Sequence, residues 1–396
     1  MLQGFKVIEL ATQIAAPGAG GMLAEWGAEV IKIENRGGDP ARLGFDTLTP
    51  DGQSPAFQLD NRGKRSVVLD IQKPEGREAL VRLVKNADVF LTNLRPRALK
   101  RARIDWDTLK AENPRLIYAS VTGYGLQGAE ADLPGYDVTA FWSRGGVASI
   151  MIPKGEEPYM PRAGVGDRAC SLATVSAIMT AAYERNRTGV GRLVETSLIR
   201  SGVYAIGSDL SIFMRLKRLA STRPRATTAT PLINFYKSAD GRWVCLMPKN
   251  LLGDWSKIAT AAGRADLIDD PRFNTDRNRR DHTPELVSLL DTAFGALPFD
   301  ELVRRFIEAD LAWAPVQTPA QLIEDPQAQA AGCFVETPDG LGGFIPAPAL
   351  PARFPGADEG PRGPTPGLGQ HTDAVLAEAG YDAEEIAAMR AHGAAA

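Results

Sequence analysis

The stretch that decides the fold is residues 6–34, KVIELATQIAAPGAGGMLAEWGAEVIKIE. Its first five residues, Lys6 to Leu10, predict a strand, and the segment from Gly18 to Trp26 predicts a helix. A second strand is predicted from Val30 to Ile33. A strand, a helix and a strand in about 30 residues indicate two parallel strands joined by a helical crossover.

The same alternation continues through the first 120 residues. Further strands are predicted at Ser66–Leu69, Val89–Thr92 and Leu116–Val121. Helices are predicted between them, at Pro74–Asn86 and Trp106–Glu112. Helices are then predicted at Gly135–Met151, Asp167–Arg187 and Glu195–Leu216. This pattern is typical of an α/β fold built on a doubly wound parallel sheet.

The composition of the chain changes after about residue 220, where Thr, Arg and Pro become frequent. A hairpin is predicted at 233–247, turning at Asp240-Gly241. Helices are predicted at Leu251–Ala262, Pro284–Phe294, Phe299–Glu308, Thr372–Glu378 and Ala383–Ala391. A chain of 396 residues exceeds the size at which one core stops growing. We predict a large doubly wound domain from residues 1–218, a smaller α+β domain from 219–325, and a return segment, 326–396, that completes the large domain.

Composition excludes several classes of protein. The 45 basic and 48 acidic residues give a net charge of −3, which argues against a nucleic-acid binder. The three cysteines, Cys170, Cys245 and Cys333, fit neither a disulfide framework nor a metal-binding spacing and indicate a reducing compartment. No run of 18 apolar residues occurs, and no signal-like segment opens the sequence. We expect a soluble cytoplasmic protein with no metal site and no membrane partner.

Histidine is scarce, with none in the first 281 residues. A Ser-His-Asp or Cys-His site built within that part of the chain is therefore excluded. Chemistry that relies on carboxylates remains possible, since they are ionised near pH 7 without an added base.

Asp167 is the carboxylate in the most suggestive setting, because it follows Gly164-Val165-Gly166 and opens the predicted helix. Glycines let a ligand approach the backbone, and the helix start offers N–H groups and partial positive charge that keep a carboxylate ionised. Two interpretations are open: a nucleophile, or an N-cap, since Asp is a preferred capping residue.

A basic cluster, NLRPRALKRAR at 93–103, directly follows the predicted strand that ends at Thr92. Open α/β sheets bind ligands at the carboxyl ends of their strands. Further cations near predicted strand ends are Arg36, Arg42, Arg62, Lys64 and Arg65. Together these cations predict a polyphosphate site, with a solvated charged face as the alternative.

A nicotinamide dinucleotide is a poorer match. Gly18, Gly20 and Gly21 lie inside the first helix, whereas the dinucleotide fingerprint places its glycines in the tight turn directly after the strand. We expect these glycines to allow close packing of helix and sheet. Tyr136 lies between a long loop and a predicted helix, where it either lines a cleft or is a half-buried aromatic.

Short motifs occur in order almost from end to end of the chain: VIEL at 7–10, AAPG at 15–18, LAEWGAEVIKIE at 23–34, NRGKRS at 61–66, GYD at 135–137, GD at 166–167, TGVGR at 188–192 and PGLGQHT at 366–372. In these motifs the chain resembles the class III CoA-transferases, which include formyl-CoA transferase and carnitine CoA-transferases. The resemblance implies an interlocked, ring-like homodimer that moves CoA from an acyl-CoA to a small carboxylic acid. CoA is then a substrate, and no tightly bound cofactor is implied.

The resemblance also implies roles for residues. Asp167 corresponds to the catalytic aspartate, which forms an acyl anhydride and then a CoA thioester. The implied CoA contacts are Gln13, Ile14, Ala15, Arg36, Leu69, Gln72, Asn93, Leu94, Arg101 and Tyr136. Asn35 stands where formyl-CoA transferase has a CoA-contacting arginine, and Arg36 is adjacent. Residues 226–230, ATTAT, replace the glycine-rich loop of that enzyme, so formyl and oxalate specificity is not expected.

Two alternatives remain. The 2-methylacyl-CoA racemases are similar but use a His-Asp pair, and Tyr136 occupies the position of that histidine, which favours transfer over racemisation. The second is a catalytically silent CoA-binding protein in which Asp167 is only a helix cap. The acyl donor and acceptor are left open.

Overall fold

The computed structural model describes residues 1–44, 49, 52, 54–250, 253–358 and 360–396. It divides by internal contacts into two compact units, the first formed by 1–149, 160–217 and 330–396, and the second by 150–159 and 218–329. The sequence had assigned residues 150–159 to the first predicted segment. They join the second unit because Lys154 N–H donates to Thr222 O at 3.0 Å and the Thr222 hydroxyl donates to Ile150 O.

The first unit contains a six-stranded parallel sheet with the order β3-β2-β1-β4-β5-β6. Its strands are β1 Lys6–Leu10, β2 Glu29–Glu34, β3 Arg65–Val68, β4 Val89–Thr92, β5 Ile117–Thr122 and β6 Leu193–Ser197. The predicted doubly wound parallel sheet is confirmed. The chain order reverses between β1 and β4, and ligands of open α/β sheets bind beside such a switch point.

In chain order the α-helices are α1 Ala15–Glu25, α2 Pro55–Asn61, α3 Pro74–Lys85, α4 Pro96–Ala102, α5 Trp106–Glu112, α6 Val147–Met151, α7 Val165–Thr188, α8 Leu198–Ala205, α9 Gly207–Leu216, α10 Trp255–Ala261, α11 Asp276–Asp281, α12 Thr283–Gly295, α13 Phe299–Glu308, α14 Pro319–Ile323, α15 Pro326–Ala330, α16 Thr372–Glu378 and α17 Ala383–Ala391. A π-helix, Asp137–Arg144, precedes α6, so the single helix predicted at 135–151 is two. No helix in the described ranges has both the length and the apolar character to span a bilayer.

The predicted helix from Glu195 to Leu216 is wrong at its start. Residues 193–197 form β6 and pair in parallel with β5. Val194 and Thr196 are buried while Glu195 is exposed, which is the alternation of a strand. The Ser197 hydroxyl then accepts the Arg200 N–H at 3.3 Å and caps α8, so the helix begins only at Leu198.

The glycines of α1 serve close packing, as predicted. A Cβ on Gly20 would lie 1.9 Å from Glu9 Oε2, and one on Gly21 would lie 2.7 Å from Asp60 O. A larger residue at either position would push the helix away from β1 and α2. The core of this unit joins sheet residues such as Ile8 and Phe90 to the C-terminal helices.

The second unit has an antiparallel sheet of β7 Asn234–Lys237, β8 Trp243–Met247 and β9 Ala312–Pro315. The predicted hairpin at 233–247 is confirmed. Its core is aromatic and includes Tyr236, whose ring packs edge-on against Phe294 at 5.0 Å. The helix predicted from Leu251 begins at Trp255, and residues 251 and 252 lie outside the described residues. A separate hairpin, β10 Phe334–Pro338 and β11 Phe344–Pro348, belongs to the first unit.

Candidate active site

Two cavities open at the carboxyl edge of the parallel sheet, on either side of the switch point. The Asp167 cavity, about 350 Å³, is bounded by residues 12–15, Asn93, Tyr136 and Asp167. The cation-lined cavity, about 610 Å³, is bounded by the ends of β1, β2 and β3 and by α4. Thr12 and Leu94, which follow β1 and β4, line both cavities. One elongated ligand can therefore reach from one cavity into the other.

Asp167 lies in the first turn of α7 but does not cap it. The N-cap is Gly164, whose φ of +100° favours glycine, and the helix begins at Val165. The prediction that the helix opens at Asp167 is thus wrong by two residues, and the alternative of a simple cap is contradicted. The difference arises because the left-handed glycine turns the chain before the carboxylate is reached.

Asp137 holds this turn from the start of the π-helix. Its carboxylate accepts the Gly164 N–H at 2.8 Å and the Asp167 N–H at 3.1 Å. Only 4% of Asp137 is exposed. A Cβ on Gly166 would lie 2.3 Å from Asp137 Oδ1, so glycine is required there. Two N–H groups of the helix start are therefore used by a protein carboxylate.

The pKa of Asp167 is raised to about 7, by burial first and then by the neighbouring charge of Asp137. The guanidinium of Arg168 opposes the rise, but it is itself paired with Asp60, whose charge adds to the rise. The sequence had predicted a carboxylate kept ionised by the helix start. That prediction is wrong, because burial and a second carboxylate outweigh the helix start.

All the implied CoA contacts except Arg36 line one or both of the two cavities. Lining the Asp167 cavity are Gln13, Ile14, Ala15, Asn93, Leu94 and Tyr136. Lining the cation-lined cavity are Leu69, Gln72, Leu94 and Arg101. Arg36 is exposed, lines neither cavity, and lies 3.5 Å from Ala395 O.

Two of these residues are placed in ways that bear on their roles. The amide of Asn93 is engaged with a neighbouring backbone, accepting the Thr12 N–H at 3.1 Å and donating to Thr12 O at 2.7 Å. It therefore shapes the cavity wall. Tyr136 is 63% exposed and lines the Asp167 cavity, as the cleft interpretation expects and the half-buried one does not.

Four cations predicted for the polyphosphate site are instead internal ion-pair partners. Arg42 pairs with Glu34, Arg62 with Glu25, Lys64 with Glu9, and Arg65 with both Glu29 and Glu378, each at 2.6–2.7 Å. Arg62 and Lys64 are buried. Arg42 follows β2, Arg62 and Lys64 precede β3, and Arg65 is the first residue of β3. The fold brings carboxylates of other segments against them.

Sequence reasoning missed two cations of the cation-lined cavity, Lys73 and Arg77, which lie at the start of α3. Their position just after β3 was the available signal. Together with Arg101 and Arg103 they give this cavity four positive side chains. The same lining includes three carboxylates, those of Glu34, Asp39 and Asp70. Cations grouped at strand ends are suited to phosphate groups.

A six-stranded parallel sheet with two cavities at its carboxyl edge, beside the switch point, defines a doubly wound α/β protein with its candidate site in the usual place for that fold. Residues 2–372 match the family model described as CoA-transferase family III, so the chain belongs to that family. It is a CoA-transferase, as the resemblance implied.

Named relatives agree with this assignment. The chain is 34% identical over 391 residues to (R)-2-hydroxy-4-methylpentanoate CoA-transferase of Clostridioides difficile, covering 98% of this chain and 97% of that protein. It is 35% identical over 397 residues to cinnamoyl-CoA:phenyllactate CoA-transferase of Clostridium sporogenes, covering 98% and 95%. A solved CaiB/BaiF family protein from Brucella suis superposes with a TM-score of 0.86 at 30% identity, covering 96% of this chain and 99% of that one.

Proposed function

We propose that Asp167 is the nucleophile that carries CoA between two carboxylic acids. The observation that supports this most directly is its position in a cavity that meets the cation-lined cavity at Thr12 and Leu94. A CoA thioester has its phosphates at one end and its reactive carbonyl at the other. With the phosphates among Lys73, Arg77, Arg101 and Arg103, the carbonyl extends toward Asp167.

The reaction proceeds in four substitutions at carbonyl carbon. The Asp167 carboxylate attacks the thioester and expels the CoA thiolate, giving an acyl-aspartyl anhydride. The thiolate attacks the aspartyl carbonyl and releases the first acid, leaving an aspartyl-CoA thioester. The acceptor carboxylate attacks that thioester to form a second anhydride with loss of thiolate, and thiolate attack on the acceptor carbonyl yields the new acyl-CoA and free Asp167.

The raised pKa of Asp167 supports this role. An ordinary carboxylate, with a pKa near 4, is much less basic than the thiolate that it must displace, because the thiol has a pKa of about 8.5. With a pKa of about 7, Asp167 is a more basic nucleophile, and the first substitution is less unfavourable. Binding of the remote phosphates to the cation-lined cavity offsets the remainder of the barrier.

Apolar residues support an apolar acyl group as substrate. Ile14, Val121, Leu133, Val138 and Leu198 line the Asp167 cavity. Two relatives act, by their names, on 2-hydroxy-4-methylpentanoate and on cinnamoyl and phenyllactate groups. We therefore propose aliphatic or aryl monocarboxylic acids, with or without a 2-hydroxyl, as donor and acceptor.

The test is to trap the acyl-enzyme with hydroxylamine. The protein is incubated with a panel of aliphatic and aryl acyl-CoAs and hydroxylamine, digested, and mapped by mass spectrometry. We expect a hydroxamate on Asp167 only, with Asp137 and Asp60 in the same digest as internal controls. Transfer of CoA between labelled acids without modification of Asp167 would refute the nucleophile. Bound CoA with no exchange would favour the silent binding protein.

We further propose that the protein is a homodimer, the state that the resemblance implies. The support is α9, in which no residue is buried although it carries Ile212, Phe213, Met214 and Leu216. The adjoining Tyr204 is 88% exposed. An apolar surface of this kind usually marks an interface. Light scattering is expected to give twice the chain mass, and Tyr204→Glu with Met214→Glu is expected to impair assembly and give less dimer. Leu341→Glu, at an equally exposed site, is the control.

A further inference from the structure

Gln13 has a backbone conformation that non-glycine residues rarely adopt. Its φ is +69°, in the left-handed region. The residue follows β1 at the switch point and lines the Asp167 cavity. Strained residues of this kind persist only where the surrounding structure holds them. The contacts around residues 11–15 identify what holds this one.

A buried ion pair is hydrogen-bonded to the backbone of the loop, residues 11–15, at Ala11 and Gln13. Asp39, which is 1% exposed, accepts the Gln13 N–H on Oδ1 at 3.1 Å. Its Oδ2 lies 2.9 Å from the Nζ of Lys32, and the same ammonium donates to Ala11 O at 2.9 Å. Lys32 is fully buried, and Glu9 also contacts it at 3.1 Å. The pair therefore fixes a donor and an acceptor on either side of Thr12.

The position of Asp39 is itself fixed by its neighbours. Its N–H donates to Glu34 Oε2 at 2.9 Å, and its Oδ1 also accepts the Ala41 N–H at 3.0 Å. Asp39 thus cannot follow the loop if the loop moves. The carboxylate and the ammonium form a rigid support that comes from β2 and the turn after it.

The far end of the loop is tied to the turn that carries Asp167. The Ser171 hydroxyl lies 2.7 Å from Ala15 O and 2.9 Å from Asp167 O. The loop is thus held at one end by Asp39 and Lys32 and linked at the other to the backbone of Asp167. A shift of Gln13 would change the cavity wall on the side where the loop meets the nucleophile.

We propose that Asp39, held by Lys32, is a positioning residue that keeps Gln13 in the left-handed conformation and so fixes the wall of the Asp167 cavity for the reacting thioester. This inference rests on the proposed function, because the wall matters only if the thioester reacts at Asp167. Its effect is expected on kcat, since a preformed wall aids the reacting geometry. Asp39 also lines the cation-lined cavity, so a direct effect on the binding of CoA would appear in KM. The side chain of Asp39 itself does not touch the reacting atoms.

The test uses Asp39→Asn in combination with two substitutions at Gln13. An asparagine at position 39 cannot accept hydrogen bonds from both Lys32 and the Gln13 N–H. Whichever way its amide is turned, its NH2 group faces one of these two donors. We expect Asp39→Asn to lower kcat about tenfold with KM for the acyl-CoA changed less than threefold. Gln13→Gly and Gln13→Ala both remove the amide side chain, but only glycine adopts φ near +69° without strain.

Rescue is the decisive result. In the Gln13→Gly background, Asp39→Asn is expected to lower kcat less than threefold, whereas in the Gln13→Ala background the loss stays near tenfold. An equal loss in both backgrounds, or a rise in KM that matches the fall in kcat, would overturn the positioning role. If Asp39→Asn does not fold, the single substitutions still decide, since Gln13→Ala must then exchange amide hydrogens at residues 11–15 faster than Gln13→Gly.

Hydrogen exchange also separates this inference from the proposed function. Faster exchange at residues 11–15 in Asp39→Asn, measured by mass spectrometry, shows that the support has been lost whatever the chemistry. If exchange rises and kcat does not change, the positioning role is wrong while the nucleophile stands. If Asp167→Asn retains full transfer, the proposed function fails, and the positioning role fails with it.

Discussion

The cations near the carboxyl edge of the sheet fall into two groups that differ in how their charge is used. In the cation-lined cavity, Arg101 and Arg103 are exposed, and their charges are open to a ligand. Lys32 of β2 and Lys64, just before β3, are buried and already paired with Glu9. The first group is thus available for binding, while the second stabilises the fold.

The difference explains why Asp167 is the unusual carboxylate. The cation that lowers its pKa, Arg168, is paired with Asp60, and the carboxylate of Asp137 raises its pKa. Burial and like charge therefore act on it with little compensation. In the proposed reaction, binding and reactivity are supplied by separate regions, so we expect that each can be perturbed without the other.

The largest expected effect is that of Asp167→Asn, which removes the proposed nucleophile and keeps the size of the side chain. We expect transfer to fall by about 10³-fold or more, as when other covalent nucleophiles are removed. The Kd for CoA, measured by calorimetry, is expected to stay within about threefold of wild type, since we propose that the phosphates bind in the other cavity. A comparable loss of CoA binding would show that the two cavities are not separable.

Arg62→Met tests whether the paired cations serve the fold. It leaves the buried Glu25 carboxylate unpaired and removes a 3.0 Å hydrogen bond to Pro348 O. We expect urea unfolding to show a loss of about 3–5 kcal/mol, with KM for acyl-CoA unchanged in the folded fraction. The matched control is Arg277→Met, whose pair with Asp281 is on the surface and whose loss costs about 1 kcal/mol or less. Equal costs would contradict the contrast.

The pH dependence of transfer tests the influence of Asp137. Asp167 must be ionised to attack, so the rate is expected to fall as pH drops through about 7. Asp137→Asn removes the like charge, lowers the pKa of Asp167, and shifts this acidic limb to lower pH. The plateau rate is expected to fall roughly threefold to tenfold, because the nucleophile becomes less basic. A reduced plateau with an unmoved limb would assign Asp137 a structural role only.

The smallest expected effect is that of Arg101→Gln in the cation-lined cavity. Loss of one exposed charge-assisted contact is expected to raise KM for acyl-CoA about threefold to fivefold, by an amount that shrinks at high salt. The free energy of unfolding should not change. Arg97→Gln, on the same helix but outside both cavities, is the control. An equal rise in KM for both variants would indicate that the effect comes from the overall positive charge of the helix and not from a contact made by Arg101.

The sequence by itself determined the parallel sheet, the hairpin of the second unit and the family. Short apolar runs that alternate with helical patterns indicate which segments are strands. Motifs such as GYD and GD span only a few neighbouring residues, so the sequence shows them directly. The same local pattern failed at Glu195, because whether that segment forms a strand depends on β5 lying alongside it.

Only the tertiary structure decided which charges are used and how Asp167 is tuned. Arg62 meets Glu25 across 37 positions of the chain, Asp167 meets Asp137 across 30, and Arg65 meets Glu378 across 313. The sequence alone does not show whether a cation at a strand end is neutralised by a ligand or by a distant carboxylate. The pKa of a carboxylate likewise depends on burial and on neighbours that folding alone brings together.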